Sequence, residues 1–142
     1  MDKQTIAVEE LKIVEEIINY QESIRFKFLG WLITIISAIS VAFLSSKLNI
    51  SQNSFLLLST LIIMIFLWLD TIHRVAVDRA IERAGKIERY LRAENKKYDG
   101  PKIGESISIK NGIKYQIIAL ANIRVYSPYL ALFIAVLVIY FF

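Results

Sequence analysis

Three apolar runs without a charged residue lie within this chain of 142 residues, and they constrain its fold more than any other feature. The runs cover Phe28–Leu44, Leu48–Leu69 and Val125–Phe142. A helix needs about 20 apolar residues to cross the hydrocarbon core of a bilayer, with about 17 as the lower limit. Because the polar remainder of the chain is too short to cover three such helices in a soluble core, each run predicts a membrane-spanning helix.

The composition excludes several classes of protein. Hydrophobic residues make up 56% of the chain, which excludes a fully disordered protein. The absence of cysteine excludes a disulfide framework and thiolate metal sites, and the single histidine argues against a histidine metal site. The sequence has no phosphate-binding glycine loop and no hydrolase motif. We therefore expect a protein that is not an enzyme and that has no cofactor and no metal.

The predicted spans divide the chain into five segments. Transmembrane helices are expected at residues 28–46, 54–72 and 126–142, with an amphipathic helix at 1–27 and a basic segment at 73–125 outside the bilayer. Lysine and arginine number four in residues 1–27, one in the loop 45–53 and twelve in residues 70–125. Because these residues are enriched on the cytoplasmic side, we expect an inner (plasma) membrane protein with a cytoplasmic N-terminus and an external C-terminus.

Aromatic residues agree with this orientation, because tryptophan and tyrosine are enriched at membrane interfaces. The cytoplasmic interface is predicted to hold Trp31, Trp68, Tyr126 and Tyr129, and Tyr140 is predicted near the outer one. The first 25 residues are acidic and amphipathic, so they do not resemble a cleavable signal peptide.

The helical pattern continues from the first two apolar runs into the charged segments. Apolar residues recur at helical spacing at Ala7, Leu11, Val14 and Ile18, and again at Val77, Ile81, Ala84, Ile87 and Leu91. We therefore predict two antiparallel helices, 5–46 and 53–97, each about 60–65 Å long at 1.5 Å per residue. The expected fold is an all-α membrane protein, in which a long transmembrane hairpin extends into the cytoplasm and a third transmembrane helix follows at the C-terminus.

The segment after the second long helix leaves two structures open. Asp99-Gly100-Pro101 is a turn signal that ends the helix. Residues 106–117 alternate around Asn111-Gly112, which is typical of a β-hairpin, whereas two short helices would lead directly into the third span. The alternatives stay open for residues 103–118. Ser127-Pro128 is typical of an N-cap followed by proline at the first helical position, so it either starts or kinks the third transmembrane helix.

Small residues at every fourth position form one face of the first span. The face consists of Gly30, Thr34, Ala38, Ala42 and Ser46. Such faces let helices pack closely in lipid, where no hydrophobic force drives association. The sequence therefore predicts a packing face, and it leaves open whether the partner is another helix of the chain, a second subunit or the water of a pore.

Ionisable residues lie at the cytoplasmic end of the second span, where they are candidate functional groups. These residues are Asp70, His73 and Arg74. We expect Arg74, one turn away, to be the ion-pair partner of Asp70. His73 is either a pH-sensitive group or a plain interfacial histidine.

The helix that follows this span carries a basic face. It consists of Arg79, Arg83, Lys86, Arg89 and Arg92. Acidic residues at i,i+4 predict the ion pairs Arg74–Asp78, Glu82–Lys86 and Glu88–Arg92. We expect this face to contact anionic lipid head groups, and a nucleotide or phosphate ligand is the alternative. Nucleic acid is not an expected partner, because acids are interleaved with the bases.

A family resemblance rests on the layout of the two long helices and on the segments Trp68–Arg74 and Ile87–Leu91. Two transmembrane helices that continue into cytoplasmic helices are similar to those of RipA-type octameric membrane proteins. They are also similar to SLATT-type two-helix effectors of prokaryotic nucleotide-signalled defence systems. The resemblance covers roughly residues 15–95 and carries over no functional residue. It implies homo-oligomerisation and either pore formation or membrane disruption.

Two functions are therefore expected. The first is a small homo-oligomeric integral membrane protein that acts as a pore-forming or membrane-perturbing effector, with its cytoplasmic helices serving assembly and gating. The alternative is a non-conducting membrane scaffold or accessory subunit that docks a cytoplasmic protein through residues 1–25 and 74–125.

Overall fold

The computed structural model describes residues 2–45, 51–92, 98–104, 112–120 and 122–141. The helices with defined bounds are α1 (Lys3–Leu44), α2 (Gln52–Leu91), α3 (Gly112–Leu120) and α4 (Ile123–Phe141). The predicted all-α class is thus confirmed for the described residues. Both α1 and α2 are long and apolar enough to cross a membrane, and the apolar part of α4, Val125–Phe141, is shorter.

An antiparallel hairpin of α1 and α2 forms the body of the molecule. The rings of Phe43 and Phe55 stack with their centroids 4.4 Å apart near the connection between the helices. At the opposite end, Ala7 packs in one cluster with Ala84 and Ile87. The helices contain 42 and 40 residues, so each is about 60 Å long.

The end of α2 differs from the prediction. The helix ends at Leu91, six residues before the expected end at 97, and residues 93–97 lie outside the described part. Tyr98 stacks on Tyr90 with the ring centroids 5.1 Å apart. In a continuous helix these two residues would be about 12 Å apart along the axis, so α2 does not continue to Tyr98.

The hairpin has two halves with different side chains. The apolar half comprises residues 28–44 of α1 and 52–69 of α2, and α4 packs on it. Its buried residues are Leu32, Ile36, Phe55, Ile63, Tyr129 and Val136. The charged half comprises residues 3–27 of α1 and 70–91 of α2. Its core is built mainly from smaller side chains, namely Ala7, Val14, Ala80, Ala84 and Ile87.

The segment before the last helix decides part of the choice between a β-hairpin and two short helices. Residues 112–117 belong to α3, so the second strand of the hypothetical hairpin does not form, while residues 105–111 lie outside the described part. The N-cap predicted at Ser127-Pro128 is wrong, because α4 begins at Ile123 and contains Pro128. The Asn122 carbonyl accepts from the Val125 N–H at 2.8 Å and so starts the helix earlier. Pro128 then costs the helix one backbone hydrogen bond.

Candidate functional site

An ion pair joins α1 to α2 where the apolar half meets the charged half. Arg25 donates from Nε to Oδ1 of Asp70 at 2.6 Å and from Nη2 to Oδ2 at 3.1 Å. Tyr129 of α4 also hydrogen-bonds to the Asp70 side chain, and it is 3% exposed. Forked arginine–carboxylate pairs of this kind are among the stronger and more directional hydrogen bonds in proteins. These three residues, here called the boundary cluster, therefore tie together all three long helices.

The boundary cluster corrects one prediction and adds a contact that the sequence did not predict. Arg74 is not the partner of Asp70, because its Nη2 donates to Oδ1 of Asp78 at 2.8 Å. Asp70 faces α1, where the forked contact with Arg25 satisfies both carboxylate oxygens. Tyr129 is buried, because α4 turns its ring inward to the same carboxylate. Trp31 and Trp68 remain exposed.

A cavity of about 330 Å³ adjoins the boundary cluster. Four charged side chains line it, namely Glu22, Arg25, Asp70 and Arg74, and its other walls are Phe26, Leu29, Pro128 and Tyr129. Arg74 Nε is buried, and in the described part of the chain it has no hydrogen-bond partner. The boundary cavity therefore contains both signs of charge and one guanidinium with an unused donor.

His73 occupies a neighbouring position and is fixed by two contacts. A hydrogen bond of 2.5 Å joins its Nδ1 to Oε1 of Gln21 on α1. Its ring also meets Phe28 edge-on, with the centroids 5.3 Å apart. A second cavity of about 140 Å³ lies beside His73, and Gln116 of α3 closes one side. The structure therefore places His73 between α1 and α3 rather than in the boundary cavity.

A second polar cluster lies at the far end of the charged half and is centred on Glu10. Oε1 of Glu10 accepts from Arg83 Nε and from the Lys102 backbone N–H, both at 2.9 Å. Oε2 accepts from Arg83 Nη2 at 3.0 Å and from the Tyr98 hydroxyl at 2.7 Å. Glu10 is 2% exposed, and a buried carboxylate of this kind is stable only when its oxygens are satisfied.

Arg83 links the same cluster to the segment after α2. Its Nη1 donates to Oδ1 of Asp99 at 2.9 Å, and its Nη2 also donates to the Gly100 carbonyl at 2.6 Å. Gly100 has a φ of +84°, a backbone conformation that favours glycine. Glu10, Arg83, Tyr98, Asp99 and Lys102 are called the distal cluster below. It fixes both the register of the hairpin and the path of residues 98–102.

The pKa values in the distal cluster follow from these contacts. Burial raises the pKa of Glu10, but its hydrogen bonds from Arg83, Lys102 and Tyr98 outweigh burial and leave it below the usual value. The hydrogen bond to Glu10 raises the pKa of Arg83 above its ordinary value, although burial opposes this. Burial and then the Glu10 hydrogen bond raise the pKa of Tyr98 to about 12. Glu10 and Arg83 therefore both stay charged at neutral pH.

The predicted basic face is largely neutralised by its neighbours. Arg83 does not belong to the basic face. Its side chain lies on the inward stripe of α2 with Ala80 and Ile87, and it is therefore buried against Glu10. Lys86 pairs with Glu82 at 2.7 Å, and Arg92 pairs with Glu88 at 3.5 Å, as the i,i+4 spacing predicts. Arg89 donates to the Gly85 carbonyl, and Arg79 lines the cavity beside His73.

The small-residue face of α1 is turned away from the rest of the chain. Gly30, Thr34 and Ala38 are exposed, and Ala42 is half-buried, while Ser46 lies outside the described residues. A Cβ atom added at Gly30 would meet no atom within 4 Å. The buried residues Leu32, Ile36 and Ser40 follow two positions later, about 200° around the helix. Neither α2 nor α4 therefore covers this face.

Sequence reasoning missed Glu10, Arg25, Tyr98 and the buried role of Tyr129. A signal for the pair of Glu10 and Arg83 was present. Glu10 lies between Ala7 and Val14 on the apolar stripe of α1, and Arg83 lies between Ala80 and Ile87 on that of α2. A charge in an inward stripe indicates a buried partner, because an unpaired buried charge is very unfavourable. Nothing in the spacing identified which residue on the other helix that partner is.

In the described ranges, no group of three or more His, Cys, Asp or Glu side chains could hold a metal ion. No protein-family model matches the sequence, and no curated protein or solved structure shows significant similarity to the chain.

Proposed function

We propose that the chain is a small integral protein of the inner (plasma) membrane that assembles with copies of itself. The apolar halves of α1 and α2 cross the bilayer together with α4, the charged half projects into the cytoplasm, and the C-terminus lies outside. Large apolar side chains exposed around these segments support this arrangement, because they need an apolar solvent. They include Ile33, Val41, Leu57, Leu61, Met64, Ile134 and Val138.

The single observation that carries the assembly is the uncovered small-residue face of α1. Within lipid, exposed Leu or Ile gains nothing by leaving the acyl chains, whereas a flat face lets two helices approach closely and gain van der Waals contact. Gly30, Thr34 and Ala38 provide such a face on the side opposite to the hairpin's own core. We infer that a second copy packs there.

The activity we propose is that of a pore-forming or membrane-perturbing effector. In the described residues, the space between α1, α2 and α4 is filled by an apolar cluster, so a water path would lie between subunits. The Thr34 hydroxyl donates to the Gly30 carbonyl at 2.9 Å, which leaves its oxygen free to accept a hydrogen bond from a neighbouring subunit or from water. The charged half would serve assembly and gating, in line with the resemblance to RipA-type and SLATT-type proteins.

Lipid contact in this proposal is confined to the first turns of α2 beyond the bilayer. The second span is expected to end at residue 72. Along the helix axis, Arg89 lies about 25 Å and Arg92 about 30 Å beyond that residue. These distances exceed the Debye length of roughly 8 Å at physiological salt, so neither arginine is attracted appreciably to the membrane surface. Arg74 and Arg79 are close enough to meet anionic head groups.

The first test is the mass of the full chain in a mild detergent, measured by native mass spectrometry. We expect one closed assembly of several subunits, and Ala38→Leu and Thr34→Leu should shift it toward monomer. Val138→Leu enlarges an exposed apolar residue of α4 and is the matched control, which should leave the mass unchanged. A monomeric native protein, or equal masses in all variants, would reject the self-assembled pore.

Conduction and topology need separate measurements. Liposomes that contain the native protein should release a trapped ion, and those with Ala38→Leu should release it more slowly. A reporter active only in the cytoplasm, fused after residue 142, should be silent. Strong reporter activity would contradict the proposed position of the C-terminus.

The scaffold function remains the second candidate, and exposed apolar residues in the charged half favour it. These are Val8, Ile13 and Tyr20 on α1 and Ile81 on α2. A stoichiometric cytoplasmic partner that co-purifies with the native chain, together with no ion flux, would favour a scaffold over a pore. Loss of that partner in Tyr20→Ser would place the docking surface on α1.

A further inference from the structure

We propose that the boundary cavity binds the head group of a zwitterionic aminophospholipid, with the lipid phosphate at Arg74 and its ammonium at Glu22. The inference rests on the membrane insertion proposed above. It does not depend on the number of subunits or on conduction.

The depth of the cavity fits a head group. Its lining residues come from positions 22–29, 70–74 and 128–129. These positions flank the expected cytoplasmic ends of the three spans, at residues 28, 72 and 126. A cavity at that level faces the polar layer of the inner leaflet, where phosphates and amines are the most abundant ligands.

Charge complementarity selects the kind of head group. Arg25 and Asp70 neutralise each other through their forked contact, so Glu22 and Arg74 are the other two charged residues on the cavity wall, and Arg74 is also paired with Asp78. Glu22 attracts Arg25 but makes no direct ion pair with it. A carboxylate that has no ion-pair partner among the described residues and a guanidinium on the same wall match a ligand with an ammonium and a phosphate. A purely anionic head group would meet Glu22 unfavourably.

Arg74 has the donor that a phosphate requires. Its Nη2 is used by Asp78, whereas its buried Nε has no hydrogen-bond partner in the described residues. Because Nε is buried, a phosphate in the cavity would meet the guanidinium at its remaining nitrogen, Nη1. The planar guanidinium presents adjacent donors in the geometry that phosphate accepts.

The size and the apolar walls suit the remainder of the lipid. About 330 Å³ lies at the lower end of the range for small-ligand sites, roughly 300–1,000 Å³. Phe26, Leu29 and Pro128 provide apolar surface beside the charged residues. The Phe26 side chain is largely exposed, so the cavity has an apolar rim along which the glycerol and the first acyl carbons can lie.

Native mass spectrometry of the full chain in mild detergent tests the proposal with defined lipids. The protein is titrated separately with phosphatidylethanolamine, phosphatidylcholine and phosphatidylglycerol, and inorganic phosphate is added as a soluble competitor. We expect phosphatidylethanolamine to bind about tenfold more tightly than the other two lipids, because only it offers N–H donors to Glu22. Inorganic phosphate at millimolar concentration should not displace it.

Charge-neutral variants locate the site. Arg74→Gln should weaken phosphatidylethanolamine binding about tenfold, and Glu22→Gln should abolish the preference over phosphatidylcholine. Arg92→Gln is the matched control, since Arg92 lies on the same helix in the same kind of i,i+4 ion pair, far from the cavity. Circular dichroism should show unchanged helix content in all three variants.

Four outcomes would overturn the inference. They are equal binding of the three lipids, a preference for phosphatidylglycerol, displacement by inorganic phosphate, and equal effects of Arg74→Gln and Arg92→Gln. The same spectra report the mass of the assembly. Failure of the lipid site and failure of self-assembly are therefore distinguished in one experiment.

Discussion

The two halves of the hairpin are held together by different interactions. In the apolar half, Leu32, Ile36, Phe55 and Ile63 pack in a cluster in which directional contacts are few. The charged half has a core of smaller side chains, and forked arginine–carboxylate pairs stand at its two ends. Along α1 these pairs are separated by 15 residues, which is about 22 Å.

The difference teaches how the register of a long hairpin is set. Apolar side chains can exchange partners when one helix slides by a turn, because dispersion contacts are not directional. The residues of the two ion pairs cannot exchange partners in this way, because a slide by one turn would separate Arg25 from Asp70 and Glu10 from Arg83 at the same time. The two pairs also have opposite polarity. In the boundary cluster α1 supplies the arginine, whereas in the distal cluster α1 supplies the glutamate. Charge pairing therefore defines the alignment, and apolar packing supplies contact area.

Removing the base of the distal cluster should have the largest effect. Arg83→Gln leaves the Glu10 carboxylate buried without its cation, which costs about 3–5 kcal/mol. We expect amide hydrogen exchange of residues 3–20 to accelerate about 100-fold or more, while residues 28–44 keep their protection. Arg92→Gln is the control and should change neither region. Uniform acceleration along α1 would show that the two halves unfold as one unit.

Removing the base of the boundary cluster should have a smaller effect. Arg25→Gln leaves Asp70 with the Tyr129 hydroxyl, and the adjoining cavity admits water to the carboxylate. We expect a loss of about 2–3 kcal/mol, measured as faster exchange around residues 21–29 and 66–74. Arg25→Lys should restore only part of it, because an ammonium does not reproduce the fork. Full restoration by lysine would show that charge alone matters there.

Acid should destabilise the charged half of the hairpin and leave the stability of the apolar half unchanged. The pKa of Glu10 in the folded protein lies below its usual value of 4.5, so its stabilising contribution is complete above pH 4.5. The contribution is lost as the pH falls from 4.5 through the folded pKa. Hydrogen exchange of residues 3–20, taken relative to the intrinsic exchange rate at each pH, should therefore rise over this interval, and the rise should be reduced in Glu10→Gln. An identical rise in that variant would assign the effect to other carboxyl groups.

The smallest effect is expected at the exposed ion pairs. The side chains of Lys86 and Glu82 are more than half exposed, so solvent screens their attraction. Lys86→Gln should change the free energy of unfolding by at most about 0.5 kcal/mol, measured by thermal melting in detergent. A loss as large as that in Arg25→Gln would contradict the distinction between the buried and exposed charges of α2.

Much of the helical architecture could be predicted from local patterns. The bounds of α1 and the start of α2 differ from the predicted ones by one or two residues, because the 3.6-residue period continues without proline through both helices. Three i,i+4 ion pairs on α2 also form as predicted. The predictions failed at Arg83 and at Ser127-Pro128, where a contact distant in sequence outweighs the local preference or a cap lies a few residues earlier.

The candidate site could be predicted only in part. Asp70 and Arg74 were identified by their position at the end of an apolar run, and both line the boundary cavity. Their partners were not identified correctly, because local spacing favours Arg74 for Asp70 whereas the folded hairpin brings Arg25 from 45 residues away. Glu22 gave no signal among the other glutamates of α1.

The sequence by itself determined the helices, their apolar and charged halves and the antiparallel hairpin, since periodicity and hydropathy act over a few turns. Only the tertiary structure decided which charges are buried and which face solvent. The reason is that a charge enters the interior only where an oppositely charged partner is fixed within hydrogen-bond distance. Arg83 and Arg92 have the same side chain on the same helix, yet Glu10 of α1 meets only the first.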